Sequence, residues 1–220
     1  MGRDADAAPT GPLARLLLIA ERFTESGAAA SIQSAVGAGL PWVQLRDHNA
    51  SDTAFEEAAM ELSEQLWEIS PNLVITVNSR VQTAARVVPE GRRVFGLHVG
   101  TRGPDPGSVR GLLHADALLG LSVHALSEIG CRGVDYYLWS PVFQTASKPD
   151  ARATGTSLLM SAVERAGPVP VLALGGVTPG VVQSCLSAGA YGVAVQSGIL
   201  GAADPAVATR EYLRKIAEYS

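Results

Sequence analysis

Only two cysteines occur in the 220 residues, Cys131 and Cys185. They have neither C-x-x-C spacing nor a nearby histidine pair, so a disulfide framework and a thiolate metal site are both excluded and buried thiols are expected. Apolar runs never approach the ~18 residues that span a bilayer. The polar, acidic opening Met1–Pro12 and the short apolar stretch Leu13–Ala20 do not form a secretory signal. A disordered tail over 1–12 and a cytoplasmic protein with no membrane partner are the expectation. Positive charge is also scarce: 17 Lys and Arg stand against 21 Asp and Glu, a net charge of −4. No basic tract is interleaved with aromatics, which argues against nucleic acid as a partner.

What is present is an alternation of short apolar runs with longer amphipathic segments, the sequence form of repeated βα units and of a parallel sheet. Eight strand candidates follow one another: 15–20, 42–46, 73–78, 94–99, 117–124, 136–143, 169–175 and 192–196. Most are continuous Val/Leu/Ile runs, as for strands buried on both faces. Helices are expected over 28–38, 51–70, 80–87, 108–114, 126–131, 157–166, 179–188 and 205–219. The clearest begins at Ser51 or Asp52 as cap, carries Phe55, Ala58, Ala59, Leu62, Leu66 and Ile69 on one face, and stops at Pro71. Eight such pairs favour an α/β fold of the single (β/α)8 TIM-barrel type over 13–220. An open doubly wound sheet would show a glycine fingerprint after its first strand, and this one leads into Glu21-Arg22-Phe23.

In such a barrel the polar residues at the C-terminal strand ends are the site candidates. Strand seven breaks into Gly175 and Gly176 before Thr178-Pro179 opens a helix, and strand eight ends at Gln196, Ser197 and Gly198. Two turns of small residues in consecutive units point to a phosphate, since glycines admit a close ligand and helix starts offer free N–H groups. The plain alternative is that Gly-Gly only makes a tight turn. Ser122 and His124 alternate onto one side at the end of strand five, where an imidazole could take and return a proton. His124 is the general acid/base candidate; its plain alternative is a histidine that holds the loop. His98 lies inside strand four and is a weaker candidate for ligand contact, while His48 and His114 read as loop or surface residues. Gln44 and Arg46 alternate inward along strand two, with Asn78 ending strand three. A desolvated Arg46 needs an anion, either a ligand or a barrel acid other than Asp47, which faces the opposite side. The long segment after strand six carries Thr145 and Lys148 and reads as a lid.

These motifs, VQLR at 43–46, VNSRV at 77–81, GLHVG at 96–100, GLSVHALSE at 120–128, DYYLWSPVFQTASK at 135–148, ALGGVTP at 173–179 and AGAYGVAVQSGI at 188–199, resemble the thiamine phosphate synthase/TenI family from about residue 15 to 219. The resemblance implies a barrel that holds a thiazole phosphate, with the phosphate at Gly175–Gly176 and Gln196–Gly198. Substrate contacts would come from Gln44, Arg46, Asn78, Ser122, Thr145 and Lys148. Two activities divide the family. Synthases join a hydroxymethylpyrimidine diphosphate to thiazole phosphate with Mg²⁺ on acids after strands three and four; this chain has Asn78-Ser79 and Thr101-Arg102-Gly103 there, with Asp105 displaced, and His48 where a lysine is usual. On that ground a metal-independent thiazole tautomerase, an isomerase with His124 as proton shuttle and no cofactor, is the expectation. The Mg²⁺-dependent synthase, and a thiazole phosphate binder without turnover, remain as alternatives. An unrelated phosphate-binding barrel isomerase would share the two turns but not the SVH and strand-six motifs. Dimerisation is common in this family, so a homodimer is an arrangement that the resemblance allows.

Overall fold

A computed structural model describes residues 13–87, 94–131, 133–145 and 152–219. The expected tail over 1–12 and Lys148 lie outside the described residues. The eight strands are β1 (Leu16–Glu21), β2 (Trp42–Arg46), β3 (Val74–Asn78), β4 (Val94–Val99), β5 (Leu118–Val123), β6 (Tyr136–Trp139), β7 (Val171–Leu174) and β8 (Gly192–Val195). All pair in parallel with their sequence neighbours, and β8 returns to β1 through Leu16 opposite Val193 and Leu18 opposite Val195, closing the barrel. The (β/α)8 expectation is met.

The helices are α1 (Ala28–Gly37), α2 (Asp52–Ile69), α3 (Val81–Arg86), α4 (Pro106–Arg110), α5 (Gly155–Ala166), α6 (Val182–Ser187), α7 (Ser197–Leu200) and α8 (Pro205–Ala217). In α2 the Ser51 side chain accepts from the Ala54 N–H, as a cap should. None of the described helices is long and apolar enough to cross a membrane.

Strand alternation sorts the side chains into two cores. Outside the barrel wall, residues such as Leu18, Val43, Ile75, Leu97 and Val123 pack against the helices. Inside it, Leu17, Ile19, Trp42, Leu118, Tyr136, Leu138, Leu172 and Ala194 fill the lumen. This inner core is sealed below by apolar groups and becomes polar toward the C-terminal end.

Two expected elements come out differently, and one element was not expected. The strand-six run stops at Trp139, because Pro141 offers no N–H to a ladder; Val142 and Phe143 then donate to Leu174 O and Gly175 O. Where a helix was expected over 126–131, a single 3-10 turn, Leu126–Glu128, is formed. The Glu128 carboxylate folds back onto the His124 and Ala125 N–H groups, and Gly130 turns the chain out with φ 120°. The short helix α7 between β8 and α8 was not anticipated.

Gly120 on β5 shows how tightly the lumen is filled. A Cβ there would overlap the Tyr136 ring and sit 2.5 Å from His98 Nδ1, both fully buried. Gly120→Ala should therefore lower the unfolding free energy by about 1–3 kcal/mol, read as a lower urea midpoint at unchanged slope; a neutral substitution would mean that the lumen has slack.

Candidate active site at the C-terminal mouth

Strand ends deliver the mouth of the barrel: Glu21 from β1, Arg46 from β2, Asn78 from β3, Ser122 from β5 and, just past the last strand, Gln196. Glu21 and Arg46 are register partners, and their side chains form an ion pair at 2.9 Å, both partly exposed. The Arg46 Nε–H also donates to His48 Nε2 at 3.0 Å. The partly exposed arginine thus has a barrel acid as partner, and His48, expected to be a loop or surface residue, joins it at the mouth.

Asp47 faces away, as alternation requires. It is buried and accepts from the Thr24 hydroxyl and from the Asn49 and Ala50 N–H groups. Burial by itself would raise its pKa, but these hydrogen bonds and the nearby Arg22 charge prevail, and the carboxyl sits below its ordinary value. Asp47 therefore knots the β2–α2 loop beneath Arg46. Arg80 fastens the same loop from β3: its guanidinium donates to Asp47 O at 3.0 Å and Ala50 O at 2.8 Å, pairs with Asp52, and lies 4.8 Å over the Phe55 ring. Sequence reasoning passed over Arg80, although it lies within the VNSRV motif.

Below the mouth, the lumen carries a buried polar cluster. Gln44 and His98 are almost fully enclosed, and Ser122 is partly exposed above them. His98 Nε2 lies 2.8 Å from Ser122 Oγ, and Nδ1 lies 3.0 Å from the Tyr136 hydroxyl. Burial first, and then the Arg46 charge, push the His98 pKa down to about 3, so the ring is neutral. His98 thus supports Ser122 from beneath. His124 is exposed, and its Nδ1 donates to Ser140 O at 2.7 Å, so the ring ties the end of β5 to the end of β6.

Toward β7, Gly175 and Gly176 take φ values of 94° and 65°, in the left-handed region that favours glycine. A Cβ on Gly175 would lie 2.8 Å from Pro141 Cα, and one on Gly176 2.8 Å from Phe143 Cβ. The turn itself and the close approach of the strand-six loop both require glycine at these positions. Gly198 makes room for the Tyr212 hydroxyl, which reaches across from α8 to donate to Val177 O at 2.9 Å. Asn78 accepts from the Ser79 hydroxyl at 3.2 Å, and Ser79 itself has φ 60°. Thr145 is half-buried in the strand-six loop. A cleft of about 700 Å³ runs between the β8 and β1 ends past Glu21, Arg46, Gln196 and Ser197. A second, of about 770 Å³, passes His48, Ser79 and Arg80.

Among the described residues, those at these strand ends do not fit a divalent cation. Ser79, Thr101 and Gly103 offer no carboxylate; Asp105 is spent capping α4 through the Ser108 N–H, and Glu21 is held by Arg46. Among the described residues no group of three or more His, Cys, Asp or Glu is placed to hold a metal ion.

Comparison with known proteins yields a match to the family model "Thiamine monophosphate synthase" over residues 16–199. The chain is 34% identical over 214 residues to the thiamine-phosphate synthase of Azorhizobium caulinodans, covering 93% of this chain and 95% of that one. It is 34% identical over 185 residues to that of Chloroflexus aurantiacus, with 83% and 82% covered. Among solved structures, a thiamine phosphate pyrophosphorylase from Pyrococcus furiosus superposes with a TM-score of 0.79 at 27% identity, over 93% of this chain and 96% of that chain.

These matches overturn the expectation of a tautomerase, and with it the isomerase class. Two substituted acid positions had outweighed the rest of the chain, whereas the likeness to synthases extends across nearly its whole length. His124, expected as that reaction's proton shuttle, is engaged through Nδ1 with Ser140 O.

Two outcomes follow from this geometry. Asp47→Asn should cost about 1–3 kcal/mol at neutral pH. Because the folded pKa is depressed, this contribution is present above the unfolded value near 3.8 and fades as pH falls through the lower folded value, so wild-type and variant denaturation midpoints should converge in acid. Calorimetric titration of the substrate-free protein with Mg²⁺ should give no saturable binding, and a stoichiometric isotherm would contradict the donor count.

Proposed function

This chain belongs to the thiamine monophosphate synthase family, and on that premise we propose that it is a transferase that joins a hydroxymethylpyrimidine diphosphate to a thiazole phosphate. The observation that carries the reading is the end-to-end likeness to named synthases, 34% identity with 93% and 95% of the two chains covered. In the reaction a lone pair on the thiazole ring nitrogen forms a C–N bond to the exocyclic carbon of the pyrimidine. The C–O bond to the diphosphate breaks, and both its electrons leave with pyrophosphate.

An aromatic ring nitrogen attacks without losing a proton, so no general base is needed at the nucleophile. The demand is for cations around the leaving group and for donors that fix both rings. Arg46, with His48 beside it, supplies positive charge at the mouth, and Asn78 lies one strand further on. Gln44 and Ser122 offer polar contacts at the top of the lumen, and Thr145 and Lys148 contribute from the strand-six segment. The turns at Gly175–Gly176 and Gln196–Gly198 take the thiazole phosphate through backbone N–H groups. His124, with Nδ1–H committed to Ser140 O, holds the β5–β6 edge of the pocket.

Purified protein given both substrates should form thiamine phosphate and pyrophosphate in equal amounts. Arg46→Ala should lower kcat by about 10²-fold without loss of fold. Absence of thiamine phosphate when both substrates demonstrably bind would remove the transferase reading in favour of a binder.

A further inference from the structure

The lumen cluster contains more polar groups than apolar packing needs, and their donor and acceptor capacities order them. Trp42 is fully buried, and its Nε1–H can only donate; it points to Thr76 Oγ1 at 3.3 Å. Thr76 therefore receives a hydrogen bond and still has its own proton to place. Among the described residues, the fully buried Tyr136 hydroxyl has one hydrogen-bonding partner, His98 Nδ1 at 3.0 Å. A buried donor left unmade is costly, whereas an unfilled lone pair is better tolerated, so Tyr136 directs its O–H onto Nδ1. A neutral imidazole has one lone pair and one N–H. Once Nδ1 accepts, Nε2 must carry the proton, and it faces Ser122 Oγ at 2.8 Å. Ser122 then accepts from below and keeps its hydroxyl proton for the partly exposed side.

We propose that His98 is a positioning residue, held as the Nε2–H tautomer by Tyr136, and that it makes Ser122 an obligatory hydrogen-bond donor to the substrate. The relay runs through three strands, β6, β4 and β5, and its direction is set by a buried phenol whose proton has His98 Nδ1 as its acceptor. The ligand atom it selects is a lone-pair acceptor, such as an unprotonated ring nitrogen or a phosphoryl oxygen; an N–H or protonated group at the same place would face a donor. Gln44, whose amide nitrogen is buried without a hydrogen-bonding partner, adds a second unspent donor in the same layer. Reversing the tautomer would turn Nδ1–H onto the Tyr136 oxygen and leave the Tyr136 proton without its acceptor, with a cost on the scale of an unmade buried hydrogen bond. The inference rests on the proposed placement of Ser122 against substrate.

The test has a structural arm and a kinetic arm. Nitrogen-15 spectra of histidine-labelled protein, with His98 assigned by comparison with His98→Gln, should show Nε2 protonated and Nδ1 bare over roughly pH 5–9. Protonation at Nδ1, or titration in that range, would overturn the proposal whatever the enzyme does. In the second arm Tyr136→Phe, which removes the donor to Nδ1, should lower kcat/KM about three- to tenfold. The same substitution in a Ser122→Ala background should change it by less than about twofold. Equal losses in both backgrounds would show that Tyr136 acts by packing alone and sink the relay. His98→Gln, which keeps a donor below Ser122, should retain more activity than His98→Leu. If no thiamine phosphate forms even in the wild type, the transferase reading fails while the spectra still decide the tautomer.

Discussion

Everything at the mouth depends on closure of the sheet between Leu16–Leu18 of β1 and Val193–Val195 of β8. Closing eight strands commits every second side chain to a lumen that water does not reach from below, and the polar residues among them must satisfy one another. Trp42 does so with Thr76, and Tyr136 with His98 and Ser122, so that five strands take part. In an open sheet those side chains would be dispersed over a face, and no such sequence of hydrogen bonds would form. The barrel thus organises its site by restricting choices: space at Gly120 is exhausted, and the neutral state of His98 is enforced by burial.

The outer face of the barrel holds the loops that complete the site. Asp47 and Arg80 secure the β2–α2 turn by accepting from and donating to backbone, so Arg46 is presented from a braced loop. Tyr212 does the same for the other side, joining α8 to the turn after β7 through Val177. In both places a side chain remote from the lumen sets the position of one that faces it, a division of labour common to sites built on rigid elements.

Much of this was legible in the sequence, because the strands of a parallel barrel are nearly continuous apolar runs and their order along the chain is their order in space. The bounds of β2 and β4 coincide with the expected ones, and the inward setting of Gln44, Arg46 and Ser122 follows from alternation alone. What was not legible depends on partners distant in sequence. Nothing near Arg46 announces that Glu21 faces it across the β1–β2 register, nor that Tyr136, which looks like a core aromatic, has its hydroxyl on His98. The glycines at 175 and 176 were read for a ligand, and nothing in their own sequence shows that Pro141 and Phe143 also press against them. The assignment of chemistry went astray where two substituted acids were weighed against the whole chain, since a local absence of charge says little about which rings a pocket accommodates.

The Arg46–Glu21 pair has a consequence for any anion that enters. An incoming anion finds a guanidinium already oriented, but it can take the Nε–H of that group only by exchanging places with a carboxylate that cannot leave the site. The favourable energy it gains is therefore the difference between two attractions, and the displaced Glu21 remains close enough to reclaim Arg46. Such an exchange weakens retention of the anion without weakening its alignment, and it makes departure of the spent anion a return to an arrangement that the empty barrel already holds.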